Sequence, residues 1–209
     1  MLVPLAAALS CTITPAAVAG GPDLGLQQIV KAQAGIHTLE GRFTQTKTLS
    51  LFDETIVSEG TIVIEKPDFY CWIYGEPEPR LFYVDGRRSG TFEPESGTRN
   101  EVNLDSTGLT SLIQSVSSII SGSLQPSALS EYEVVRQAAT DDFVTYTFTP
   151  LTEQGESLFQ QVTIGFDPRT GLARDLEITE SNGDRSVMTF DDWQRNVAVD
   201  RTQLLGSLK

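Results

Sequence analysis

The chain has 209 residues, of which 39% are hydrophobic and 21% are charged, so it is long and apolar enough to bury a substantial core. Its 28 acidic and 15 basic side chains give a formal net charge of -13. This charge opposes binding to nucleic acid and to anionic membranes, so the composition argues against both as partners.

The amino-terminal segment 1–19 carries no charged side chain and ends in Ala17-Val18-Ala19. Small residues at Ala17 and Ala19 fit a signal-peptidase site, and the apolar run is too short to span a bilayer. We therefore expect a cleaved signal peptide over 1–19, with a buried hairpin strand as the alternative. Cys11 resembles the cysteine of a lipoprotein cleavage box, which leaves lipidation open.

Two segments show helical periodicity. Asp23 can cap a first helix over 24–36. A longer helix is predicted over 106–121, with apolar residues at helical spacing on one face and an opposite face that contains only uncharged polar residues. A surface helix normally carries charge there, so this helix is either covered on more than one side or is a lid that moves.

The remaining segments alternate like strands and are separated by short turns, which favours antiparallel pairing. The predicted strands are 39–49, 54–65, 69–74, 80–84, 87–92, 98–104, 132–138, 143–149, 158–166, 172–181 and 185–190. No repeat or linker interrupts them, so we expect one domain over 20–209. A sheet of about eleven strands must curl or close, and the apolar helices are the natural cover. The sequence thus predicts an α+β fold: a strongly curved, unclosed antiparallel half-barrel with helices plugging or covering its concave apolar face.

The sequence offers little chemistry. His37 is the sole histidine, so a multi-histidine metal site is excluded, and we interpret it as a solvated or capping residue. Cys71, the sole cysteine after the signal segment, lies in a predicted strand and is expected to be a buried thiol. No nucleophile elbow, phosphate loop or dinucleotide fingerprint occurs, so we predict no catalytic residue, metal or cofactor. A carboxylate pair in an exported hydrolase stays as a minor alternative.

Five motifs resemble a known family when taken in order. They are Leu39-Glu40-Gly41-Arg42-Phe43-Thr44-Gln45-Thr46, Ser58-Glu59-Gly60-Thr61-Ile62, Lys66-Pro67, the strand Asp68-Phe69-Tyr70-Cys71-Trp72, and Asp85-Gly86. Their order and spacing are similar to those of the periplasmic outer-membrane lipoprotein carrier family, LolA and LolA-like proteins. The similarity is sharpest over 36–92.

The resemblance implies a non-enzymatic periplasmic carrier that takes acylated lipoproteins from an inner-membrane exporter to an outer-membrane receptor. It implies a monomer without stable membrane insertion, whose apolar cavity encloses the acyl chains. The residues expected to form the cavity wall or lid are Phe43, Ile62, Ile64, Trp72, Tyr74, Leu112, Ile113, Val116, Ile120 and Phe148. Plain core packing is the alternative role for each of them.

Two features of the sequence depart from the family pattern. Lys66 stands where classical carriers have an arginine that is thought to fasten the lid, so Lys66 is assigned to lid latching or head-group contact. The chain also ends differently, at Leu204-Leu205-Gly206-Ser207-Leu208-Lys209, which favours the LolA-like branch and leaves glycolipids or other acyl products as cargo. A lipid-sensing or structural module on the same fold is the other open hypothesis.

Overall fold

A computed structural model describes residues 24–52, 54–86, 88–103, 116–121, 129–140 and 142–206. The strands are β1 (Thr38–Leu49), β2 (Glu54–Glu65), β3 (Phe69–Tyr74), β4 (Arg80–Asp85), β5 (Arg88–Glu93), β6 (Thr98–Asn103), β7 (Tyr132–Ala139), β8 (Val144–Pro150), β9 (Phe159–Phe166), β10 (Ala173–Glu180) and β11 (Arg185–Arg195). The helices are α1 (Leu24–Ala32), α2 (Glu153–Glu156) and α3 (Arg201–Gly206). A further helical segment, 116–120, is called the inner helix below.

All eleven strands form one antiparallel sheet in the order β6-β5-β4-β3-β2-β1-β11-β10-β9-β8-β7. Strands that follow each other in sequence pair within β1–β6 and within β7–β11, and β1 also pairs with β11 and so joins the two halves. The sheet ends at β6 and β7, which are not paired with each other within the described part of the chain. The predicted α+β fold with an unclosed antiparallel sheet is confirmed.

Alternation along the strands gives the sheet two apolar faces. The larger cluster lies on the concave face and includes the inner helix and α1. A smaller cluster lies on the outer face of β2–β5 and contains Val63, Phe69, Cys71, Leu81, Tyr83 and Phe92. The run from Phe69 to Tyr74 contributes to both, which explains why it is apolar at successive positions.

The outer cluster is covered by the end of the chain. Val199, Leu204 and Leu205 pack on it, and we call residues 197–206 the C-terminal strap. The thiol of Cys71 is fully buried beneath this cover, and burial raises its pKa to about 12, as expected for a structural cysteine. His37 is exposed, as predicted.

Several predicted boundaries were wrong. The first helix ends at Ala32, four residues before the prediction, because Gln33 to Gly35 tighten into turns with bonds such as Gln33 N to Val30 O at 3.2 Å. Strand β11 continues to Arg195 instead of stopping at 190, because a bulge opposite Glu40–Arg42 accommodates the polar run Asp191-Asp192. Helices α2 and α3 were not predicted, since each is too short to show a periodic pattern.

Candidate functional site: the concave wall and its inner helix

Aromatic rings from neighbouring strands form the centre of the concave wall. The Phe43 ring lies 5.2 Å from the Trp72 ring and 5.0 Å from the Tyr74 ring, and Trp72 lies 6.1 Å from Phe190, all edge-to-face. This geometry is favourable for aromatic pairs. Burial raises the pKa of the Tyr74 hydroxyl to about 12.

A glycine gives Phe43 its place in the wall. Gly60 on β2 faces Phe43 on β1, and a Cβ at Gly60 would collide with the Phe43 ring and the Ile73 carbonyl oxygen. The Gly in the second-strand motif therefore lets the aromatic ring lie flat across the sheet.

The inner helix packs on this wall with both apolar and polar contacts. Val116 and Ile120 are buried among the wall residues, while Ser117 and Ser121 on the polar side are completely buried as well. The Trp72 Nε1 donates a 3.1 Å hydrogen bond to the Ser117 Oγ. The helix is thus covered on more than one side, which accounts for a polar face without charge.

A second hydrogen bond joins the same two elements. The Tyr70 hydroxyl lies 3.1 Å from the Ser118 hydroxyl and also donates to the Pro67 carbonyl at 2.9 Å. Hydrogen bonds of this kind contribute only about 0.5–1.5 kcal/mol each, because water can replace them when they open. The polar side of the inner helix can therefore separate from the wall at a smaller cost than an apolar surface of the same size.

The end of α1 fastens the inner helix from its other side. Gln33 is completely buried, and its Nε2 donates to the carbonyl of Ile120 at 3.1 Å and to the carbonyl of Gly171. Its Oε1 is buried without a hydrogen-bond partner among the described residues. An amide that leaves its acceptor unsatisfied forms a weaker attachment than a fully bonded one.

Lys66 contacts the segment between α1 and β1. Its Nζ donates a 3.0 Å hydrogen bond to the backbone carbonyl of Gln33, and its backbone N–H donates to His37 O at 2.9 Å. Partial burial lowers the pKa of the Lys66 ammonium. Lys66 is therefore connected to the inner helix through one intermediate residue, Gln33.

The structure brings the predicted wall residues together. Phe43, Ile62, Ile64, Trp72, Val116, Ile120 and Phe148 belong to one buried cluster, and Tyr74 packs against it half-buried. Leu112 and Ile113 lie outside the described residues. A lipid-binding wall and a plain hydrophobic core use the same kinds of side chain.

Two polar contacts of this site were not predicted from the sequence. Gln33 follows the last residue of α1, and although Tyr70 lies in a predicted strand, no local pattern indicates that its hydroxyl meets Ser118. The one sequence signal for Ser117 is its place on the uncharged polar face of the predicted helix, since a helix face exposed to water normally carries charge.

The described residues contain neither a candidate metal site nor a helix that could cross a membrane. No group of three or more histidine, cysteine or acidic side chains among them could hold a metal ion. Within the same residues, no helix is long and apolar enough to cross a membrane.

The described residues form an open antiparallel half-barrel whose apolar concave face is covered by helical segments. The family model described as outer membrane lipoprotein carrier protein LolA matches residues 34–203, and the chain belongs to this family. The resemblance read from the five motifs is thereby confirmed.

Individual relatives are similar at modest identity. The outer-membrane lipoprotein carrier protein of Xanthomonas axonopodis pv. citri is 28% identical over 174 residues, covering 82% of this chain and 78% of the relative. That of Xylella fastidiosa strain Temecula1 is 27% identical over 163 residues, covering 78% and 73%. Among solved structures, a putative outer membrane lipoprotein-sorting protein domain from Vibrio parahaemolyticus aligns with a TM-score of 0.49 at 8% identity, covering 88% of this chain and 96% of that one.

Proposed function

We propose that the protein is a periplasmic carrier that shields the acyl chains of lipoproteins between its concave wall and its helical cover. It would receive them from an inner-membrane exporter and deliver them to an outer-membrane receptor, with the segment 1–19 acting as the export signal. Membership of the family and the names of the relatives support this role. No step in it is chemical.

The observation that carries the proposal is how the wall is covered. The concave face is a continuous apolar surface, yet the inner helix meets it partly through hydrogen bonds from Trp72 and Tyr70 to serines. A cover attached this way can be displaced by a ligand that supplies more apolar contact than the helix does.

Burial of an acyl chain gives enough free energy to displace the hydrogen-bonded cover. Each methylene that leaves water contributes about 0.8 kcal/mol, so one acyl chain gains far more than the hydrogen bonds of the cover lose. Because the cover must be displaced first, the net affinity is reduced, and a receptor with a better apolar site can take the cargo.

Trp72 provides the test, because it faces the proposed cargo. In a Trp193→Phe variant, Trp72 is the sole tryptophan, and a triacylated lipopeptide with brominated chains should quench its fluorescence whereas the unbrominated lipopeptide should not. The Trp72→Phe variant is the matched control, since Trp193 donates to the Ala173 carbonyl at 2.7 Å at the edge of the cluster and should be quenched less.

The outcomes separate the candidate functions. Quenching of Trp72 with one lipopeptide bound per chain supports the carrier. Quenching by a glycolipid but not by the lipopeptide would assign a different cargo, and binding without release to acceptor vesicles or receptor would favour a sensing module. Absence of any bound acyl chain in native mass spectra would contradict the proposal.

A further inference from the structure

A cavity of about 470 Å³ lies between the outer face of the sheet and the C-terminal strap. Most of its lining comes from the outer face of the sheet and from the strap, while its lining residue Tyr74 also belongs to the concave wall. Its volume falls within the range of about 300–1,000 Å³ that is typical of pockets for small molecules.

The lining of the cavity is mainly apolar. The sheet contributes Val63, Ile73, Leu81 and Phe92, and the strap contributes Val199 and Leu204. Both sides therefore offer aliphatic and aromatic surface to a ligand, and a hydrocarbon chain is the ligand class that such a surface binds most favourably.

Charged groups at the same cavity indicate the head group. Glu40 and Asp200 supply two carboxylates, which favour a positively charged group and oppose a free fatty acid. Arg80 also lines the cavity. Its Nη1 pairs with Glu78 at 3.2 Å and its guanidinium lies 4.8 Å from the Tyr74 ring centre, while its Nε–H is buried without an acceptor among the described residues. A phosphate oxygen would satisfy this donor, because guanidinium groups bind phosphate well.

The strap that closes the cavity is fastened by polar contacts. Arg201 forms ion pairs with Glu65 at 2.6 Å, with Asp85 at 2.7 Å and with Asp68 at 3.7 Å, and its guanidinium lies 4.7 Å from the Phe69 ring centre. These groups are about one-third exposed or more, apart from Asp85, so water can replace the contacts when the strap lifts. A ligand could therefore enter without disturbing the sheet.

We propose that this cavity is a second lipid site, which takes the single acyl chain of a zwitterionic lysophospholipid. The chain lies between the strap and β2–β5, the ammonium faces Glu40 and Asp200, and the phosphate accepts from Arg80. The site shares Tyr74 with the concave wall but does not require that the protein be a carrier.

The test uses 1-myristoyl-lysophosphatidylcholine below its micelle concentration. Native mass spectrometry counts the lipids bound to the full chain, and calorimetry gives the affinity. Two variants close the cavity: Leu204→Glu places a carboxylate in the apolar lining, and Ala198→Phe fills the space without charge. Thr202→Glu is the matched control, because it adds the same charge at an exposed position of α3 that does not line the cavity.

We expect the wild-type chain and Thr202→Glu to bind equally, while both cavity variants lose one bound lipid or about tenfold in affinity, which corresponds to about 1.4 kcal/mol. Myristate should bind to the wild-type chain no more tightly than the lysolipid binds to the cavity variants. If Leu204→Glu fails to fold, Ala198→Phe decides alone. No bound lysolipid in the wild-type chain, or unchanged stoichiometry and affinity in Ala198→Phe, would overturn the proposal.

Discussion

The indole nitrogen of Trp72 donates a 3.1 Å hydrogen bond to the hydroxyl of Ser117, and both residues are buried. This bond joins the concave wall to the inner helix at the centre of the proposed cargo site. It forms only while the helix covers the wall, so it stabilises the closed state and competes with any ligand that displaces the helix.

Replacing Ser117 by alanine should therefore weaken folding and strengthen lipid binding. The buried indole N–H loses its acceptor, which should lower the free energy of unfolding by about 1–3 kcal/mol. The same loss makes the cover easier to displace, so the apparent Kd for a triacylated lipopeptide should fall, by up to about tenfold for each 1.4 kcal/mol. Denaturant titration and lipopeptide titration measure the two effects, with Thr55→Ala at an exposed position of β2 as control. Weaker lipid binding by Ser117→Ala would show that the helix does not have to move.

Lys66 should make the free energy of unfolding depend on pH in the alkaline range. Burial lowers the pKa of Lys66 in the folded chain, so between that value and the unfolded value of about 10.4 the unfolded chain binds more protons. The contribution of Lys66 to stability therefore rises with pH in this range, as the folded chain no longer carries a partly buried charge. We expect the stability difference between wild type and Lys66→Met to shift in favour of wild type as the pH rises toward the unfolded pKa of about 10.4. Lys66→Arg, which stays charged, should lack this shift, and parallel pH curves for wild type and Lys66→Met would contradict the assignment.

Arg201 should control access to Cys71. With Arg201→Gln, the strap loses its ion pairs with Glu65 and Asp85, and the outer cluster beneath it is exposed more often. The thiol has a pKa of about 12 and is fully buried, so it should react slowly with a thiol reagent while the strap is closed.

We expect the labelling rate of Cys71 in Arg201→Gln to rise by about tenfold if the strap loses about 1.4 kcal/mol of attachment. The measurement is made in a chain with Cys11→Ser, so that a single cysteine reports. Arg169→Gln, which removes a well-exposed ion pair with Asp142, is the control and should label like the parent chain. Equal rates in all three chains would mean that Arg201 does not fasten the strap.

A side chain at position 60 should destabilise the fold, whereas a side chain at position 35 should be tolerated. Gly60→Ala places a methyl group against the Phe43 ring and the Ile73 carbonyl and should destabilise the fold by about 2–3 kcal/mol. A Cβ at Gly35 meets nothing within 4 Å, so Gly35→Ala should leave stability unchanged or raise it by up to about 1 kcal/mol. Thermal and denaturant unfolding of the pair measure this difference. Similar stability of the two variants would show that Phe43 can move away from β2 at little cost.

The positions of the strands along the chain and the apolar residues of one sheet face were accessible from the sequence because they depend on local rules. Alternation placed Phe43, Ile62 and Trp72 on one face, and the turn residues marked where each strand stops. The motifs over 36–92 then identified the family. The short helices were not accessible, since α2 and α3 are stabilised by single caps and tertiary contacts and not by a repeated pattern.

By itself, then, the sequence determined an acidic chain, an eleven-stranded antiparallel sheet, an apolar helix with an uncharged face, and membership of the carrier family. Only the tertiary structure decided which polar groups meet. Lys66 reaches Gln33, Trp72 reaches Ser117, and Arg201 gathers carboxylates from β2, β4 and the turn after β2. These contacts join residues 33 to 136 positions apart, and no local pattern encodes them because each depends on how the whole sheet curves.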